Sequence, residues 1–123
     1  MVTHNQAKKP FNFEERSHLF GQDVKDLTKK LPRTIANIEY IKQSIRSSGS
    51  VGANYIEADE GLSKKDCLKH LRISRKEAKE TRHWLRLYDV QGNSELEQER
   101  QALTKEAAEL VCILSAMIKK CDS

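Results

Sequence analysis

Seven residues share one spacing and one charge. Lys65, Lys69, Arg72, Lys76, Lys79, His83 and Arg86 follow one another at intervals of three or four. On a helix turning about 100° per residue, that interval places them on one face over about 30 Å. A row of cations of this length neutralises successive phosphates. Such contacts bind nucleic acid without reading its sequence, and they weaken steeply with salt. Two other uses of the row stay open: a solvated helix face partly neutralised by neighbouring acids, and a dock for an acidic partner protein. No aromatic residue interleaves with the row, which argues against bases stacking on it. Residues 63–91 carry a net charge of +5, residues 92–123 carry −2 and residues 1–62 carry +1, so the chain's +4 originates in this one segment.

Other chemistry is thinner. Glu15–His18 and Glu80–His83 have the ExxH spacing of di-iron bundles, in which glutamates such as Glu57 and Glu106 or Glu109 would complete the set. Their wheel positions fall off the apolar faces, so no metal site and no cofactor is expected. His4, His18, His70 and His83 read as exposed. The cysteines Cys67, Cys112 and Cys121 lie far apart or on apolar faces, without a CxxC pair, and read as buried reduced thiols. No phosphate-binding glycine loop, nucleophile elbow or HExxH occurs, and no set of nucleophile, base and orienting group stands out. The expectation is a protein that is not an enzyme. Asn54 and Glu57, with Arg46, Arg75 and Glu77 in reach, read as a polar network fixing helix register, with a ligand site as the alternative.

The elements that must carry these residues are helices. The chain is 37% hydrophobic and 33% charged, with only 5 Gly and 2 Pro in 123 residues. So few breakers disfavour an all-β fold and suit long amphipathic helices. There is no run of about 18 apolar residues, hence no membrane span, and no signal-peptide core. A cytoplasmic location is expected.

Residues 1–12 read as a flexible arm and 13–121 as the bundle. A first helix starts near Phe13, carries Phe20, Val24, Leu27 and Leu31, and ends at Pro32. Pro32 can also open the next helix. The second helix continues through Ser47–Ser50 to about Asp59, with Ile35, Ile38, Ile41, Ile45, Gly49, Gly52 and Ile56 as its inner face. Ser63 caps a third helix over about 64–89. Its inner seam is Cys67, Leu71, Ser74, Ala78, Thr81, Leu85 and Tyr88, and the basic row lies about 160° away. A further column, Ile73, Glu77, Glu80 and Trp84, points to a second contact, with another subunit as one candidate. A turn at 91–94 leads to a fourth helix capped by Ser94, with Leu96, Leu103, Ala107, Leu110, Leu114, Met117 and Cys121 inward. Its stretch 110–118 is apolar nearly all round, which points to self-association. Four helices with short connections make an all-α, antiparallel up-down four-helix bundle.

The blocks Ser50-Val51-Gly52-Ala53-Asn54-Tyr55-Ile56-Glu57-Ala58, Ser63-Lys64-Lys65-Asp66, Lys76-Glu77-Ala78-Lys79-Glu80-Thr81 and Trp84-Leu85 resemble the bacterial four helix bundle protein family. That family is also known for reading frames in intervening sequences of 23S rRNA genes. The resemblance covers about residues 13–120. It implies a left-handed antiparallel bundle assembled as a ring-shaped homopentamer. It also implies kinship with the accessory variability determinant of diversity-generating retroelements, a basic pentamer associated with nucleic acid and a reverse transcriptase. It implies no enzyme activity. It carries over Asn54, Glu57, Glu77 and Glu80 as the motif's polar positions, expected to be structural. Cys67 departs from the family pattern, which has an aromatic residue there. The combined expectation is a non-enzymatic oligomer that binds nucleic acid through phosphates along Lys65–Arg86, with docking of an acidic partner as the alternative and a metal-dependent oxidase as a third reading.

Overall fold

The computed structural model describes residues 12–123; the rest of the expected N-terminal arm lies outside the described residues. Four helices follow in order: α1 (Phe13–Lys30), α2 (Ile35–Asp59), α3 (Lys64–Leu87) and α4 (Ser94–Asp122). Each helix packs on two neighbours in the cycle α1–α2–α3–α4. Connections of a few residues force antiparallel neighbours. The contacts agree: Arg16 and Lys30 of α1 meet Glu106 and Glu99 of α4, in reversed order.

Capping residues set the starts. Asn12, Thr34, Ser63 and Asn93 each accept, through the side chain, a hydrogen bond from the backbone N–H three residues on, at 3.3, 3.0, 3.1 and 3.1 Å. The fourth cap is Asn93 rather than the expected Ser94, and Ser94 is the first helical residue. Pro32 lies in the connection, two residues before the Thr34 cap, and does not open α2. The turn before α4 bends through Gln91 (φ 51°) and Gly92 (φ 74°), a left-handed pair that favours glycine at the second position. α3 ends at Leu87, two residues earlier than expected, because Tyr88 is extended (ψ 137°).

The core is apolar on three helices. Phe20, Val24 and Leu27 from α1, Leu85 from α3, and Leu103, Leu110 and Leu114 from α4 are at most 2% exposed. The expected inward faces of α1, α3 and α4 are the observed ones in most positions, and Leu68 joins the α3 seam. In α4, Leu110, Leu114 and Ile118 are buried while Cys112 and Ala116 are exposed, so residues 110–118 are not covered all round.

α2 departs from expectation. It runs unbroken through Ser47–Ser50, but four of its five isoleucines face outward: Ile35, Ile38, Ile45 and Ile56 are exposed, and only Ile41 packs against the core as expected. Its buried face is Asn37, Ser44, Ser47, Ser48, Val51 and Ala58. Small hydroxylated residues let α2 and α3 approach closely, and each hydroxyl is satisfied. Ser44, Ser47 and Ser48 donate to the carbonyls of Ile41, Ser44 and Ile45 in their own helix at 3.2–3.4 Å. Across the interface, Ser44 meets the Tyr88 hydroxyl, Ser47 Oγ meets Thr81 Oγ1 at 2.7 Å, and Ser74 Oγ donates to the Val51 carbonyl at 2.7 Å. A buried hydroxyl is costly only when unpaired, so this seam tolerates what hydrophobic periodicity would reject.

Candidate nucleic-acid interface

α3 lies between α2 and α4, which leaves its third side free. All seven residues of the basic row, from Lys65 to Arg86, fall on that side and all are exposed. Cys67, Leu68 and the rest of the seam take the inner positions, so the helix period converts one sequence into a core face and a charged face. Lys65, Lys69 and Arg72, with Ser63 and Asp66, rim a shallow hollow at the start of α3. Arg86 and the off-row Arg82 share a second hollow with Arg100 and Lys105 of α4 at its other end. His83 sits edge-on to Trp84, with ring centroids 5.0 Å apart.

Several cations outside the row hold the bundle together. Arg16 donates through Nε and Nη2 to the two oxygens of Glu106 at 2.8 and 2.9 Å, and through Nη2 to Glu109 at 3.2 Å. The hydrogen bond to Glu106 raises the Arg16 pKa against the opposing effect of burial. Arg46 bonds Glu77, Lys30 bonds Glu99, and Arg100 clasps Glu97 while donating to the Tyr88 carbonyl at 2.7 Å. The Arg100 hydrogen bond lowers the Glu97 pKa. Along the row the pattern reverses. Among the described residues, no carboxylate stands within 4.0 Å of Lys65, Lys69, Lys76, Lys79, His83 or Arg86. Only Arg72 has one, Asp122 at 3.9 Å, with both side chains more than half exposed. An exposed pair of that length contributes little. Apart from Arg72, the row therefore makes no close ion pair among the described residues.

The expected polar network divides in two. Asn54 donates to the Ser50 carbonyl and hydroxyl at 2.9 Å and meets His70 Nδ1 at 3.3 Å. His70 is consequently only 19% exposed, not a free surface histidine. Glu77 accepts from Arg46 Nη1 at 3.0 Å, and Glu80 stands 4.0 Å from Arg46 Nη2. Burial, and then a hydrogen bond shared with Glu80, hold the Glu77 carboxyl above its ordinary pKa despite Arg46. Glu57 belongs to neither part; it projects outward from α2 and is exposed. Arg75 reaches Ser115 of α4 at 3.3 Å rather than Asn54 or Glu57. Trp84 stacks on Tyr40 of α2 at 6.0 Å, so the third-helix column covers α2 within the protomer. Glu80 Oε2 and Trp84 Nε1 are buried without a hydrogen-bond partner in the described protein.

Sequence reasoning missed Asn37. This fully buried residue donates to the carbonyls of Pro32 and Asp89 at 2.9 and 2.8 Å and accepts from the Asp89 N–H at 2.9 Å. It ties two connections together. Only its place between Ile35 and Ile38, in an isoleucine-rich stretch, hinted at it. The cysteine reading also needs correction: Cys112 is exposed, and the Cys67 and Cys121 sulfurs are 3.9 Å apart. Among the described residues no three His, Cys, Asp or Glu side chains converge on a point that would hold a metal ion. Among them, too, no helix is long and apolar enough to cross a membrane.

Residues 10–116 match the family model of the 23S rRNA-intervening sequence protein. A solved structure of similar shape is the crystal structure of a protein with unknown function from the S23 ribosomal protein family of Bacteroides thetaiotaomicron. It is 27% identical, the match covers 88% of this chain and 99% of that one, and the TM-score is 0.73. No curated protein matches the chain.

Proposed function

The chain belongs to the 23S rRNA-intervening sequence protein family, and from that premise we propose that it is a non-enzymatic, homo-oligomeric four-helix bundle that binds nucleic acid through backbone phosphates. The basic face of α3 is the binding surface. The observation that carries this reading is the alignment of seven exposed basic residues on one face of α3, six of them with no carboxylate within 4.0 Å among the described residues. Unopposed cations at intervals of one helical turn suit a polyanion better than they suit bundle stability. Self-association supplies avidity, because several weak stripes on one assembly engage one polymer together. The outward isoleucines of α2 support self-association, and the family resemblance supports a pentameric ring as the form of the assembly.

The test is fluorescence anisotropy of nuclease-treated protein with labelled RNA and DNA, titrated across salt. The expected result is binding whose log–log salt slope is several units. Replacing Lys69, Arg72, Lys76 and Lys79 by Gln weakens binding to every sequence and flattens that slope. Unchanged affinity in the fourfold variant, or no binding at low salt, overturns the reading. A nuclease-resistant pull-down of an acidic protein would then assign the face to partner docking.

A further inference from the structure

Cys67 stands in the first turn of α3 and Cys121 in the last turn of α4. They are 54 residues apart in sequence, yet their Sγ atoms are 3.9 Å apart. Both are half-buried against the edge of the core, whereas Cys112 is exposed. A disulfide needs an S–S distance of about 2.05 Å, so the sulfurs must close by roughly 1.9 Å. Helix ends accommodate such a shift most easily, because their last turns lack part of the intrahelical hydrogen bonding and fray.

We propose that Cys67 and Cys121 form a redox-responsive pair, which a hydroperoxide converts into an intramolecular disulfide tying the start of α3 to the end of α4. The thiolate is the form that attacks a peroxide. Burial, and then the hydrogen bond with Cys121, raise the Cys67 pKa, which suits Cys67 to the second, resolving step. Cys121, in the last helical turn of α4, makes the first attack. Its sulfur attacks one oxygen of hydrogen peroxide, the O–O bond breaks, and the products are a sulfenic acid and hydroxide, which takes up the thiol's proton as water. The Cys67 sulfur then attacks the Cys121 sulfur. The S–S bond forms, the S–O bond breaks, and the hydroxyl leaves as water with the Cys67 proton. Two thiols lose two electrons and two protons, and one peroxide becomes two waters. A small dithiol reverses the bond by exchange. The link anchors the end of α3 from which Lys65 and Lys69 project.

The experiment uses the full chain carrying Cys112→Ser, which removes the exposed thiol and its cross-links between copies. The protein is treated with hydrogen peroxide, blocked with N-ethylmaleimide and digested without reductant. The expected result is one species joining the Cys67 and Cys121 peptides, two hydrogens lighter than their sum and separated by dithiothreitol. The oxidised protein melts about 5 °C or more above the reduced one, since the link closes a long loop. Adding Cys67→Ser leaves Cys121 as a sulfenic acid that dimedone labels. Maleimide on both cysteines after peroxide, or sulfinic acid at Cys121 beside a free Cys67, overturns the proposal. So does a joined pair without a rise in Tm.

Discussion

At the scale of single residues, the bundle depends on polar groups that each answer a particular carbonyl or charge. Asn37 is the clearest case, since its three hydrogen bonds hold the α1–α2 connection and the end of α3 against the start of α2. Asn37→Ala leaves two carbonyls and one N–H unsatisfied inside the protein and costs about 2–4 kcal/mol, measured by urea unfolding. Glu77 illustrates a different balance. Its folded pKa is raised, chiefly by burial, so the fold favours its protonated form. The sign follows: this contribution is fully present below the ordinary carboxylate range and is lost as pH rises through the raised folded value. Glu77→Gln keeps an acceptor for Arg46 and cannot ionise. Its stability relative to the parent therefore improves as pH goes from about 4 to 7, a difference read from paired unfolding curves at each pH. Glu77→Ala, which strands Arg46, costs about 1–3 kcal/mol instead.

At the scale of elements, most of the fold was legible because three of the four helices place their large apolar residues where helical periodicity does. Phe20, Val24 and Leu27 in α1, Leu71 and Leu85 in α3, and Leu103, Leu110 and Leu114 in α4 sit on the expected faces. The seven-residue basic row was equally legible, because charge at a spacing of three and four is a local property. α2 was not. Its sequence offers two faces about a third of a turn apart, and apolarity alone selects the isoleucines. The serine face wins inside the protomer through cross-helix hydrogen bonds to Tyr88 and Thr81, partners far away in sequence. The nearness of Cys67 to Cys121 and the double clasp of Asn37 were hidden for the same reason. The two glycines of α2 make the geometry testable. A methyl group at Gly52 would lie 2.9 Å from Ser17 Oγ of α1, whereas one at Gly49 meets nothing within 4 Å. Gly52→Ala forces Ser17 from its bond to the Glu14 carbonyl and costs about 1–3 kcal/mol of overpacking, against a propensity gain of about 1 kcal/mol. Gly49→Ala collects the propensity gain alone. Thermal melts of the two variants should therefore move in opposite directions.

At the scale of the whole molecule, two surfaces remain uncovered by the protomer itself, and they differ in chemistry. One is the cationic side of α3. The other is the outer face of α2, where Ile35, Ile38, Ile45 and Ile56, separated by 3, 7 and 11 positions, fall on one side of the helix, and Ile45 and Ile56 line the α1–α2 groove. Single exposed isoleucines are ordinary, but four along one helical stripe present a patch that water disfavours. The proposed assembly gives the second surface a use and multiplies the first. Ile38→Glu with Ile45→Glu places two charges in the stripe while leaving every buried residue of the bundle in place. The variant should sediment as a monomer, with its circular dichroism spectrum unchanged. Its basic row is intact, so any loss of nucleic-acid binding measures avidity rather than contact chemistry. Affinity for a long RNA or DNA should fall at least about tenfold, while affinity for an oligonucleotide short enough to touch one stripe stays level. A monomeric variant that binds the long polymer as tightly as the parent would show that one stripe suffices. A variant that remains oligomeric would place the subunit contact elsewhere on the bundle.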